Sequence, residues 1–354
     1  MTTTDSPKTV PSDSETQALF PEARRRRHRR WVIGIALLTV AATALALLVS
    51  SSSHLTHPSA RHVGLARWAL RLGTPNAAPA FFVAGDGKGG VGVYSTTSGH
   101  LIRTLSPQSP AGPDQQIVLT KNRKSVYFAQ PSGPCSGQIL SGPISGTSAP
   151  TVVISVPGNL ALAPSPSPAS DDLAWVRVTC GSTGSTTSSS LYVTNLATHA
   201  TSDLGAYSGQ LSDNEIAWSP NGERLVVQSG STLEVLDVTR PSSERGSSLK
   251  VAAGCRLASP AFLTQGQIAA IQTCYSTIGK LRTSSALVFS IATGRPVALI
   301  AAAPPGSTFQ GLSVDSSAQH ILLGVVNPTG AENVQVEAGR LIAVGHDSPT
   351  DAQW

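Results

Sequence analysis

The chain has 354 residues, 40% of them hydrophobic and only 13% charged, with 32 Gly and 25 Pro. That apolar content supports a sizeable core. The many turn formers, with no long stretch of helical periodicity, argue against a helical protein. The net charge of +5 is local: residues 1–30 hold seven of the 25 Lys/Arg and four of the 20 Asp/Glu, leaving a nearly neutral 18 against 16. No basic face for nucleic acid exists beyond that segment, so nucleic acid is excluded as a partner.

Residues 1–30 are polar and rich in Pro, Ser and Thr, and end in RRRRHRR, Arg24 to Arg30. This composition predicts a disordered basic tail. Residues 31–50, WVIGIALLTVAATALALLVS, follow without one charge. Twenty residues at 1.5 Å each make a helix of about 30 Å, the thickness of a bilayer core. Arginines on its N-terminal side predict one transmembrane pass with the N-terminus in the cytoplasm. A cleavable signal is the competing reading, because Ala42, Ala44 and Ala60 are small enough to flank a cleavage site; a leader of thirty residues and a core of twenty favour an uncleaved anchor. Residues 51–76 read as a stalk, with His54, His57 and His62 as solvated stalk residues rather than metal ligands.

From residue 77 to 354 the sequence repeats. IVLTKNRKSVYFA (117–129), ALAPSPSPASDDLAWVRV (161–178), IAWSPNGERLVV (216–227), AFLTQGQIAAIQT (261–273) and LSVDSSAQHILLGVV (312–326) each join two apolar strands by a polar turn. Taking Thr120, Ser165, Ser219, Thr264 and Val314 as turn starts, the spacings are 45, 54, 45 and 50 residues. That is the period of a β-propeller blade of four antiparallel strands. A second unit completes each blade: VGVYSTTSGHLIRTL (91–105), SLYVTNLATHATSDL (190–204), TLEVLDVTRPSSERG (232–246) and ALVFSIATGRPVALI (286–300). Gly99 and Gly294 occupy the hairpins of two of these, where positive φ is demanded.

The fold class is therefore all-β: a propeller of six four-stranded blades, with seven as the alternative, preceded by one transmembrane helix. Blades begin near residues 79, 115, 158, 214, 258 and 308. The first lacks an innermost strand, and HVGLARWAL (62–70) is the candidate either to supply it or to close the last blade.

WSPNGERLVV (218–227) resembles the SPDG-x-x-[LI] turn of WD40-like and TolB-like propellers. No blade carries the terminal Trp-Asp dipeptide of a true WD40 repeat, so the resemblance, over roughly residues 77–330, is to the TolB-like group. It implies a six-bladed propeller outside the cytoplasmic membrane with a role in binding. No functional residues carry over.

Cys135, Cys180, Cys255 and Cys274 all follow the apolar run. An even count on the exported side predicts disulfides. Loops between second and third strands share one face of a propeller with the loops between blades. Cys135, Cys180 and Cys274 map to the first type and Cys255 to the second. The expected pairs are Cys255–Cys274, within one blade, and Cys135–Cys180, between neighbours. Metal binding is disfavoured by the lack of Cys-x-x-Cys spacing.

Catalytic patterns are sparse. GAYSGQ (205–210) is not a nucleophile elbow. GDGKGG (85–90) lacks the Gly-Lys-Ser/Thr ending of a phosphate loop. Asp171 and Asp172 read as turn residues, and Trp175 and Trp218 as blade core. Among the histidines only His320 heads an apolar strand, near Asp315. The expectation is no catalytic residue, no cofactor and no metal. The leading functional expectation is a membrane-anchored, extracytoplasmic propeller that binds, senses or scaffolds an envelope protein or polymer, with the cysteine-bearing face as the binding side. The alternative is a propeller enzyme acting on cell-wall glycan or peptide. A serine peptidase is set aside because the sequence offers no stretch for a hydrolase domain.

Overall fold

Short apolar strands separated by turn residues have one stable outcome here: four-stranded sheets that stack on one another. In this computed structural model the described residues are 66–67, 78–85, 90–106, 116–133, 135–180, 186–206, 216–240, 246–337, 340–346 and 352–353. The basic tail, the apolar run 31–50 and most of the stalk lie outside them. Among the described residues all regular structure is β, and no helix is long and apolar enough to cross a membrane. Residues 62–354 form one compact unit.

Strand β1 is Ala66–Arg67. Blade 1 holds β2 (Phe81–Gly85), β3 (Val91–Ser95) and β4 (Leu101–Ser106); blade 2 holds β5 (Ile117–Leu119), β6 (Ser125–Gly133), β7 (Ser136–Pro143) and β8 (Thr151–Val156). Blade 3 holds β9 (Asn159–Pro166), β10 (Asp172–Cys180), β11 (Thr186–Asn195) and β12 (Thr201–Ala206); blade 4 holds β13 (Ile216–Trp218), β14 (Arg224–Ser229), β15 (Thr232–Asp237) and β16 (Gly246–Ser248). Blade 5 holds β17 (Cys255–Thr264), β18 (Gln267–Tyr275), β19 (Leu281–Ser290) and β20 (Pro296–Ala302); blade 6 holds β21 (Thr308–Val314), β22 (Ile321–Asn327), β23 (Gly330–Glu337) and β24 (Arg340–His346). Six sheets, each a meander in chain order, fix the blade number at six rather than seven.

Strand chemistry follows position in the blade. Second strands are covered on both faces by neighbouring blades, so β14 (RLVVQS), β18 (QIAAIQTCY) and β22 (ILLGVVN) are near-continuous apolar runs, buried along most of their length. Outer strands need no such cover. β12 (TSDLGA) and β8 (TVVISV) carry mostly exposed or half-buried residues. The core consists of six apolar clusters, one per blade interface. The cluster around Ile271, Val288, Phe309 and Leu323 joins blades 5 and 6, and the cluster of Phe82, Ala84, Leu322 and Ala352 joins blades 6 and 1.

Ring closure departs from expectation. The described part of the 62–70 segment, β1, takes neither expected place: it adds in parallel to the outer edge of β20, through Ala66↔Ala298 and Arg67↔Leu299. The peptide groups on the free edge of an outer strand remain open to pairing, and β1 meets that edge. The innermost position of blade 1 is taken from the other end of the chain. Val83 and Gln353 exchange N–H···O bonds of 2.9 and 2.8 Å in an isolated antiparallel bridge. In this part of the chain His346 ends a full fourth strand, β24, and Ala352 and Gln353 are buried.

The first-to-second strand turns of blades 2, 4 and 6 share one hydrogen-bonded frame. The side-chain oxygens of Thr120, Ser219 and Asp315 accept from the amides five residues on, those of Ser125 (3.1 Å), Arg224 (2.9 Å) and His320 (2.9 Å). The third residue after each of these lies at positive φ: Arg123 (56°), Gly222 (73°) and Ala318 (56°). The blade 3 turn shares the backbone bond of these frames, from Ser167 N–H to the Asp172 carbonyl at 2.7 Å, so the structurally equivalent turn starts are Ser167 and Asp315, where the sequence pattern suggests Ser165 and Val314. The repeat is set by a polar capping atom rather than by the end of the apolar run. In the third-to-fourth strand hairpins, Gly99 (69°), His199 (59°) and Gly294 (64°) share the positive-φ position, each donating a 2.8 Å bond to the carbonyl four residues back. The expected role of Gly99 and Gly294 is met, and His199 fills the same slot with a side chain.

Candidate functional site: the axial pocket

Five inner strands and the closing residue Gln353 converge on a cavity of about 190 Å³. Blade 2 contributes Gln116, Thr120, Lys121 and Arg123; blade 3 the run Ala163–Pro166; blade 4 Trp218; blade 5 Pro260 and Phe262; blade 6 Leu312, Ser313 and Ser316. Apart from Gln116, which precedes β5, these residues lie in the later halves of the inner strands and in the turns that follow. The pocket therefore sits toward the turn-bearing ends of those strands.

The inner strands are bent where they line this space. Register shifts interrupt β9 between Leu162 and Ser165, β17 between Ala258 and Ala261, and β21 between Gln310 and Leu312. Each shift carries a residue at positive φ: Ala163 (50°), Ser259 (49°) and Gly311 (77°). In β9 and β17 a proline follows, which removes one ladder donor and holds the bulge in place. The amide of Ala163, freed from its own sheet, donates to the side-chain Oε1 of Gln116 in the neighbouring blade. A non-glycine residue in this conformation costs about 1–3 kcal/mol and persists only where its surroundings impose it.

The electrostatics of the wall are one-sided. Its charged residues are Lys121 and Arg123, with no Asp, Glu or His among the described lining residues. Burial lowers the Arg123 guanidinium from its ordinary value against the opposing attraction of Asp315. Asp315 is committed elsewhere: it accepts from the amides of Gln319 and His320 at 2.9 Å each, from the Ser317 hydroxyl, and faces His320 Nδ1 at 3.1 Å. Desolvation pushes its carboxyl up, but the bonds from Ser317, His320 and Gln319 together outweigh it and hold the group below the usual carboxylate range.

Asp315, His320 and Ser317 invite comparison with a catalytic triad, and the connectivity differs. In a triad the base links nucleophile and carboxylate; here both Ser317 and His320 bond to the carboxylate, inside one turn. The arrangement ties the turn together. The other residues singled out in the sequence are dispersed. Asp172 accepts from Ser170 (2.8 Å) and Asn195 (2.9 Å) in a turn, and Asp171 is exposed beside it. Trp175 packs in the interface of blades 2 and 3 and donates to Thr194 at 2.9 Å; Trp218 is 7% exposed, donates to the Ser165 carbonyl at 2.7 Å and borders the pocket. GDGKGG joins β2 to β3, with residues 86–89 outside the described set, as are GAYSGQ beyond Ala206 and the stalk histidines.

Both expected disulfides are present. Cys135–Cys180 links blades 2 and 3 with Cα atoms 6.2 Å apart, and Cys255–Cys274 joins directly opposed residues of β17 and β18 with Cα atoms 3.9 Å apart. Through the entropy of the unfolded chain such loops contribute about 3–4 kcal/mol each. They lie at the starts of inner strands and at the second-to-third strand connections, the ends opposite the pocket. The sequence pointed to that face for binding; the cavity lies at the other.

No family model and no curated protein matches the chain. Solved structures do. TolB from Acinetobacter baumannii is 16% identical with a TM-score of 0.56, over 78% of this chain and 65% of that one. What the chain shares with it is the fold. A putative TolB from Agrobacterium tumefaciens aligns at 12% identity and TM-score 0.51, over 77% of this chain and 91% of that one. A puromycin-hydrolyzing peptidase of Mycobacterium tuberculosis aligns at 15% identity and TM-score 0.50, over 78% of this chain and 45% of that one. The chain thus spans about two thirds of the first TolB and under half of the peptidase.

Proposed function

We propose that this chain is a membrane-anchored binding propeller, held by residues 31–50 with its ring outside the cytoplasm, and that it holds an envelope protein or polymer through the axial pocket. One observation carries the reading: the pocket assembles donors, hydroxyls and apolar walls from five blades and Gln353, with no paired acid and base among the described lining residues. Such a site fixes a ligand without supplying a nucleophile and its activating partner. The TolB-like fold supports a binding role by analogy. The alternative, an enzyme acting on wall glycan or peptide, is favoured by the shared fold of the peptidase and of an oligogalacturonate lyase (8% identity, TM-score 0.50).

The deciding experiment is capture from solubilised envelope with the full chain as bait, alongside incubation with wall glycan and peptide mixtures. Stoichiometric retention of one component without new products is the expected result. Product release that disappears in Asp315→Asn or His320→Gln would overturn it in favour of the enzyme.

A further inference from the structure

From the donor and charge pattern of the axial pocket we infer that its ligand is an oxyanion, a carboxylate or phosphate group. The inference rests on the binding reading above and specifies what is bound. Among the described residues, Arg123 Nη2, Gln353 Nε2 and the side-chain oxygens of Thr96 and Gln228 are buried without a hydrogen-bond partner. The two nitrogens both belong to pocket-lining residues, and neither oxygen does. Gln353 is 8% exposed, so its amide is buried as well as unpartnered. A buried donor without an acceptor destabilises the fold until a ligand supplies one. Both residues line one cavity, and what would satisfy both nitrogens is a group rich in acceptors and devoid of donors.

Charge makes the same selection. Lys121 and Arg123 line the pocket with no carboxylate among the described lining residues, in a ring that is otherwise nearly neutral. Asp315 stands near enough to act on Arg123, yet its oxygens are taken up by Ser317, Gln319 and His320. The planar guanidinium fork suits the paired oxygens of a carboxylate or phosphate. The Arg123 backbone lies at φ 56° in the slot where blade 4 has Gly222 at 73° and blade 6 has Ala318 at 56°, so Arg123→Gly removes the side chain without straining the turn. Pro164, Pro260 and Phe262 leave an apolar wall for the body that carries the charged head.

The test is calorimetric titration of the purified full chain, in non-ionic detergent at low ionic strength, with glutarate, inorganic phosphate and the neutral glutaramide. The expected result is saturable binding of glutarate or phosphate, the stronger of the two identifying the source, and none of glutaramide. Arg123→Gly should weaken binding at least about tenfold, while its thermal midpoint stays level or rises because the turn is relaxed. Gln353→Glu, which places a carboxylate in the pocket, should weaken it likewise. Glutaramide binding as tightly as glutarate would overturn the oxyanion and leave the binding reading standing. Silence of both anions up to about 10 mM, or anion binding undiminished in Arg123→Gly, would overturn the inference, whereas the binding reading fails only on product release.

Discussion

Blades 5 and 6 meet over a cluster of fifteen buried hydrophobic residues, whereas blades 6 and 1 meet over four, Phe82, Ala84, Leu322 and Ala352, among the described residues. The first interface joins two blades consecutive in the chain. The second must join chain segments some 270 residues apart, and does so through one bridge, Val83 to Gln353. Neither disulfide crosses it. Among the described residues the clusters between consecutive blades range from five buried residues, between blades 2 and 3, to the fifteen between blades 5 and 6, and the seam closed by this clasp has the smallest. The contrast is sharpest on β22, where Ile321 belongs to the large cluster and its neighbour Leu322 to the small one. Alternation along one strand sends adjacent side chains to different seams.

The largest effect should come from breaking the clasp outright. Removing residues 352–354 uncovers Phe82, worth about 2–3 kcal/mol, and deletes two backbone hydrogen bonds of about 1 kcal/mol each, a loss of about 4–5 kcal/mol in all. Urea unfolding should show it, with a lowered m-value if the ring opens before it melts. Next, Ile321→Ala should cost about 4 kcal/mol and Leu322→Ala about 2, because a cavity in the larger, better-packed interface collapses less. Equal losses from the two would mean that the seams are equally tight.

Two smaller predictions concern turns, which lie outside both clusters. The hydrogen bonds to Asp315 hold its carboxyl below the usual range in the folded state. Their contribution is full above the unfolded value near 3.9 and fades as the pH falls through the folded one. Asp315→Asn should therefore cost about 1–2 kcal/mol at pH 7 and progressively less on acidification. Denaturation at both pH values checks the sign. In blade 3, far from the clasp, His199→Gly should raise stability by about 0.5 kcal/mol by relieving a left-handed side-chain conformation.

Which features were legible from sequence follows from how each is encoded. Turns marked by Ser-Pro-Asn-Gly, and hairpins marked by Gly99 and Gly294, announce themselves through residues suited to them, so blade number and blade order could be read. The cysteine pairs followed from that layout. The bulges at Ala163 and Ser259 carry no glycine, and only the prolines after them gave a signal. The clasp is a single bridged residue, too short for any periodicity to register. Arg123 was hidden for a related reason: in KNRKS it reads as one more polar turn residue, and its burial arises only where other blades come round to meet it.

The clasp also sets how the molecule opens under native conditions. Amides in a densely packed strand such as β18 can exchange with solvent only when the whole ring unfolds, whereas those of Val83 and Gln353 need only the seam to part. Hydrogen exchange should then find two stability levels in one domain. Because the Gln353 side chain lines the axial pocket while its backbone holds the seam, a bound ligand that engages it would slow exchange at Val83. Occupancy of the central cavity would thus be readable at the rim where the circle of blades is joined.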